Sequence, residues 1–240
     1  MSSPGAVPIV ALDVASAGEA LVLARAVGDR CRFFKVGSEL FTAAGPGIVS
    51  DLREQLGADV FLDLKFHDIP NTVAGAVRSA ARLGAKLLTV HASGGARMLE
   101  AAQRAAENAV GGQCGVLAVT VLTSFEPGAL RQAWGRADAV ALEPEVLRLA
   151  GLAAEAGLHG IVCSGAEVAA VRARFGERLA PLVPGIRLSG GDMHDQARVT
   201  TPSAAQRAGA RYLILGRAVT AAEDPAAAME RVLAELRVEG

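Results

Sequence analysis

Val60-Phe61-Leu62-Asp63-Leu64-Lys65-Phe66-His67-Asp68-Ile69-Pro70-Asn71-Thr72 passes from an apolar run, through a cluster of charges, into a segment opened by proline. A short continuous apolar run suits a parallel strand buried on both faces. Proline is tolerated in a first helical turn, where its missing N–H costs nothing, so Pro70 marks a helix start. The stretch therefore reads as strand, loop and helix.

The same unit recurs along the chain. Runs rich in Val, Ile, Leu and Phe fall near 7–13, 32–37, 59–64, 87–91, 115–121, 160–164, 180–184 and 211–216. Helical spacing of Ala, Leu, Arg and Glu lies near 17–29, 39–56, 71–84, 95–110, 144–157, 166–175, 202–209 and 218–237. Eight strands each followed by a helix, with no linker, predict an α/β fold: a (β/α)8 TIM barrel forming a single catalytic domain over 1–240. A doubly wound sheet would show a glycine-rich turn after its first strand, and Asp13-Val14-Ala15-Ser16-Ala17 shows none. Residues 122–143 are the longest irregular stretch and are expected to form an elaborated loop.

Composition excludes several classes. Apolar residues at 51% and charged residues at 20% suffice for a large core and argue against disorder. A net charge of −1 leaves no broad basic surface for nucleic acid or an acidic membrane, and 4% aromatics supplies little for a base-stacking platform. No charged n-region precedes an apolar h-region and no run approaches membrane-spanning length, so a cytoplasmic enzyme is expected. Cys31, Cys114 and Cys163 are far apart and odd in number, which suits small buried hydrophobes better than disulfides or a zinc site.

In a barrel of this kind the chemistry gathers at the C-terminal ends of the strands. Asp13, Lys35, Asp63 with Lys65, His91, Thr123, Ser164, Pro184-Gly185 and Gly216-Arg217 stand there. Strand alternation would point Asp63 and Lys65 the same way. Only Lys35, Lys65 and Lys86 are lysines among 24 basic residues. Arginine cannot release a proton near neutral pH and lysine can, so lysine at two strand ends points to ammonium chemistry. After strands seven and eight, Gly185-Ile186-Arg187 and Gly216-Arg217 suit phosphate, because glycine lets the backbone approach an anion and arginine can pair with its oxygens. The polar loop 186–201 suits a lid.

His67, His91, His159 and His194 show no metal-ligand spacing, and only His91 stands at a strand end. Asp13, Asp63 and Asp68 could in principle hold Mg²⁺, but Lys35 and Lys65 would compete with a cation for them.

These residues resemble orotidine 5′-phosphate decarboxylases of the bacterial type. The resemblance rests on Asp63-x-Lys65-x-x-Asp68-Ile69-Pro70-Asn71-Thr72, Phe34-Lys35-Val36-Gly37, Leu122-Thr123-Ser124, Val183-Pro184-Gly185-Ile186-Arg187, Asp195-Gln196 and Leu215-Gly216-Arg217. It extends over nearly the whole chain, although residues 188–194 depart from the usual family sequence. The D-x-K-x-x-D core is shared with metal-dependent sugar-phosphate decarboxylases and aldolases of the same superfamily, the alternative reading.

The resemblance implies conversion of orotidine 5′-phosphate to uridine 5′-phosphate and CO₂ in pyrimidine biosynthesis, with no cofactor. It implies Lys65 as proton donor and Lys35, Asp63, Lys65 and Asp68 as a charge network, with Asp68 and Thr72 supplied by the partner subunit of a homodimer. Asp13 and Lys35 would contact the ribose, Thr123 or Ser124 the pyrimidine. Pro184 would contact the substrate, Arg187 and Gln196 would belong to the closing lid, and Gly216 and Arg217 would hold the phosphate.

Overall fold

Each apolar run becomes a strand in the computed structural model of the chain, which describes residues 5–109, 114–135, 141–188 and 200–237. The strands are β1 (Val7–Ala11), β2 (Phe33–Gly37), β3 (Asp59–Phe66), β4 (Leu87–His91), β5 (Gly115–Val119), β6 (Gly160–Val162), β7 (Ala180–Val183) and β8 (Tyr212–Leu215). Each pairs in parallel with the next. β8 returns to β1 through Val7↔Tyr212 to Val10↔Leu215, which closes the barrel. The expected (β/α)8 barrel is what forms.

The surrounding helices are α1 (Ala17–Val27), α2 (Ser38–Ala44), α3 (Gly47–Leu56), α4 (Pro70–Arg82), α5 (Ala96–Glu107), α6 (Pro127–Ala133), α7 (Leu142–Glu155), α8 (Val168–Phe175), α9 (Pro202–Ala208), α10 (Arg217–Thr220) and α11 (Pro225–Arg237). Their inner faces carry the spacing that the sequence shows. In α4, Val73, Ala74, Val77 and Ala80 are buried, one stripe of a 3.6-residue period. Val77 is fully covered, and burying a side chain of its size is worth about 1.5–3 kcal/mol.

Three local features differ from expectation. The helix expected over 39–56 breaks at Gly45-Pro46, where Gly45 takes φ 70° and Pro46 brings no N–H to continue the ladder. The helix expected over 218–237 breaks at 221–224. There Asp224 Oδ1 accepts from the Ala227 N–H at 2.9 Å and starts a new helix at Pro225. The stretch expected to be irregular contains α6, opened by Pro127 and anchored by buried Leu130.

Candidate active site

Six strands bring apolar side chains to the barrel interior, and Ala11, Phe61, Val119, Val162, Leu182 and Ile214 line a cavity of about 330 Å³. It opens at the C-terminal ends of the strands. Asp13, Lys35, Asp63, Lys65 and Thr123 line it, as do Pro184, Gly185, Arg187, Gly216 and Arg217. Of the groups expected at separate strand ends, all but His91 and Ser164 thus share one space.

Two ion pairs define its polar wall. Lys35, in register with Ala11 on β1 and Phe61 on β3, is buried, and its Nζ lies 2.7 Å from Asp13 Oδ1. Gly37 makes room for them: a Cβ there would sit 3.0 Å from Lys35 Nζ and 3.2 Å from Asp13 Oδ1. Beside it, Lys65 Nζ lies 2.8 Å from Asp63 Oδ2.

The second pair is not produced by regular strand alternation, and that expectation is corrected. Leu62 pairs with Leu88 and Phe66 with Val90, so three residues of β3 face Thr89 alone. Lys65 takes φ 51°, the one positive value among described non-glycine residues. The left-handed region costs an L-residue roughly 1–2 kcal/mol, so the surroundings must hold it. The bulge re-aims the ammonium onto Asp63, as bulges beside active sites do. Thr89, which no motif in the sequence singles out, is fully buried and bonds both residues. The Lys65 N–H donates to its Oγ1 at 2.9 Å, and Oγ1 donates to Asp63 Oδ1 at 2.9 Å. The available signal was a hydroxyl inside the apolar run Leu87-Leu88-Thr89-Val90.

At the opposite wall, Arg187 donates through Nη1 to the Ile186 carbonyl at 3.0 Å, while its Nε is buried with no hydrogen-bond partner among the described residues. Such a donor suits an anion. The loop begins and ends in one place: Arg187 N–H donates to Thr200 O at 2.9 Å, and Ile186 bridges Thr200. Most of the expected lid, with Gln196 and His194, lies outside the described residues.

Other candidates stand apart from the cavity. Ser124 is exposed and does not line it, whereas its neighbour Thr123 does. Asp68 and Thr72 are exposed at the rim, and Asp68 Oδ1 accepts from the Ile69 N–H at 2.6 Å. His91 does not line the cavity. Its ring is tilted against that of His67, with centroids 5.3 Å apart. Burial, and after it the charges of His67 and Lys65, push the His91 pKa below its ordinary value against the pull of Asp63. Among the described residues no three His, Cys, Asp or Glu side chains are grouped to hold a metal ion. Asp13 and Asp63 are each engaged by an ammonium instead. Cys31 and Cys163 are buried as expected, and Cys114 is half-buried.

A closed parallel barrel with ionisable groups converging at its C-terminal mouth defines a (β/α)8-barrel enzyme. Residues 7–232 match the model of the Orotidine 5'-phosphate decarboxylase / HUMPS family, and the chain belongs to that family. It is 49% identical to an orotidine 5'-phosphate decarboxylase of Halorhodospira halophila over the whole of both chains. It is 52% identical to the Anaeromyxobacter sp. (strain K) enzyme of that name, over 94% of this chain and 96% of the other. The crystal structure of orotidine 5'-phosphate decarboxylase from Lactobacillus acidophilus superposes with a TM-score of 0.85 at 35% identity, covering 98% of this chain and 100% of that one. The metal-dependent sugar-phosphate alternative is not favoured by these relatives.

Proposed function

We propose that the enzyme, which decarboxylates orotidine 5′-phosphate in pyrimidine biosynthesis, does so through its own charged side chains, without metal or organic cofactor. The observation that carries this reading is the pair of ammonium–carboxylate contacts, Lys35–Asp13 and Lys65–Asp63, in one cavity.

Loss of CO₂ breaks the bond between C6 and the carboxylate carbon and leaves the electron pair on an sp² carbon with no adjacent sink. A fixed charge is one remedy. Unit charges about 4 Å apart interact by about 4 kcal/mol at an effective dielectric near 20, and a preorganised ammonium spends nothing on reorganisation as the carbanion forms. Lys65 stabilises the developing carbanion and then transfers a proton from Nζ to C6, giving uridine 5′-phosphate; solvent reprotonates the amine. Asp63 stands beside the departing carboxylate, and their repulsion is relieved as CO₂ leaves.

The remaining roles are carried over from the family resemblance. Asp13 and Lys35 hold the ribose, Thr123 approaches the pyrimidine, and Arg187, Gly216 and Arg217 receive the phosphate, with Pro184 shaping the same wall. Gln196, outside the described residues, is assigned to the substrate-closing segment by the resemblance alone. Asp68 and Thr72 enter from the partner of a homodimer, which completes the charge network. Phosphate is remote from C6, so its binding energy can drive loop closure and exclusion of water.

The test is loss of orotidine 5′-phosphate absorbance on mixing with protein stripped of metal by a chelator. Turnover equal to that of untreated protein is expected. Activity that disappears on chelation and returns with Mg²⁺ would overturn the cofactor-free reading.

A further inference from the structure

We infer that Thr89 is a positioning residue for the decarboxylation, its hydroxyl setting both the carboxylate of Asp63 and the backbone of Lys65. The inference rests on the roles proposed above for that pair.

The bulge in β3 creates the need. With three residues facing one, the Lys65 N–H loses its place in the β3–β4 ladder. A buried N–H without a partner is costly, and here a side chain supplies one: Thr89 Oγ1 accepts it at 2.9 Å. That contact dictates the direction of the next. A backbone N–H can only donate, so the hydroxyl keeps its single proton for Asp63 Oδ1, also 2.9 Å away. The other oxygen of Asp63 receives Lys65 Nζ at 2.8 Å. The hydrogen bonds close a ring that begins at the backbone of Lys65 and ends at its ammonium.

Two consequences follow. One carboxylate oxygen is tied to the hydroxyl, so the plane of Asp63 is set and its second oxygen is aimed at Lys65. The left-handed turn at Lys65, φ 51°, is pinned from β4 rather than from its own strand. Valine has nearly the shape of threonine and would fill the same fully buried position in this apolar strand. Packing therefore does not account for the hydroxyl. The ring does.

The experiment compares wild type, Thr89→Val and Thr89→Ser in orotidine 5′-phosphate turnover, with uridine 5′-phosphate affinity measured alongside. The product lacks the carboxylate that faces Asp63, so its binding reports the rest of the site. Thr89→Val should lower kcat by about 10- to 100-fold, as a misplaced catalytic group does, with product affinity nearly unchanged. Thr89→Ser restores the hydroxyl and should keep kcat within a few-fold of wild type. Wild-type kcat in Thr89→Val would overturn the inference. So would a loss in Thr89→Ser as deep as in Thr89→Val, or a parallel loss of product binding, which marks general damage. If Thr89→Val does not fold, Thr89→Ser decides: retained kcat supports the hydroxyl's role, and a large loss removes it. Inactive wild-type protein would instead overturn the proposed function, so the two failures are distinct.

Discussion

Lys35 and Asp13 meet at 2.7 Å across the β1–β2 edge, but they are unequally placed: the lysine side chain is 11% exposed and the aspartate 55%. The lysine is buried in the cavity wall, while the carboxylate that meets it is more than half exposed. Removing the two partners should therefore have different effects. Lys35→Met keeps the buried stem and removes the charge, so the fold should persist while turnover collapses. Asp13→Asn leaves the buried ammonium with a weaker partner. Its half-exposed position limits the cost to about 1 kcal/mol, a fall of about 2–4 °C in Tm for a chain of this size. Thermal melts and turnover on both variants check this. A Lys35→Met protein with ordinary turnover would remove Lys35 from the network.

Arg217 and Arg187 line the same cavity, where the Arg187 Nε is buried with no hydrogen-bond partner among the described residues. Arg217→Ala should raise KM and also lower kcat, because phosphate binding is proposed to hold the loop shut. A change in KM alone would mean uniform binding, and the closure argument would fail.

Asp68 is exposed beside Ile69, itself 67% exposed, where α4 begins at the rim. A two-fold contact there would present these residues to a neighbouring site. Mixing inactive Asp68→Asn with inactive Lys65→Ala should then restore activity. About half of randomly formed dimers are mixed and each carries one sound site of two, so about one-quarter of wild-type activity should return. No recovery after proven subunit exchange would assign Asp68 to its own chain.

At the other end of the barrel, His159 shares a 2.9 Å hydrogen bond with the Tyr212 hydroxyl. Burial, and secondarily the charge of Arg211, push its pKa below the ordinary 6.5. The unfolded chain then binds the extra proton more readily than the fold. Stability from this group is complete above about pH 6.5 and declines as pH falls toward the lowered value. His91 shifts the same way and adds to the slope. Tm measured from pH 7.5 to 5 should fall, and less steeply in His159→Gln. Equal slopes would dissociate His159 from the acid limb.

The sequence shows most of this fold because a barrel strand is buried on both faces, so each strand appears as an unbroken apolar run. Helix breaks at Gly45-Pro46 and at Asp224-Pro225 depend on single turns and are harder to place within an otherwise helical spacing. α6 is short and opens on Pro127-Gly128, which alone suggests a turn. The site divides along the same line. Lys35, Asp63 and Lys65 were legible because charges interrupt apolar runs. Thr89 was not, because the residues it holds lie 24 and 26 positions away, and only the bulge brings them within reach. Strand alternation reached the Asp63–Lys65 pair by a geometry the chain does not use.

The most direct test of the proposed chemistry is kcat for orotidine 5′-phosphate in Lys65→Ala, measured with Tm and uridine 5′-phosphate binding on the same preparation. Turnover should fall by at least ~10²–10⁴-fold, the contribution of a general acid, in protein that melts near the wild-type temperature and still binds product. Near-normal turnover in that folded, binding-competent protein would contradict proton donation by Lys65.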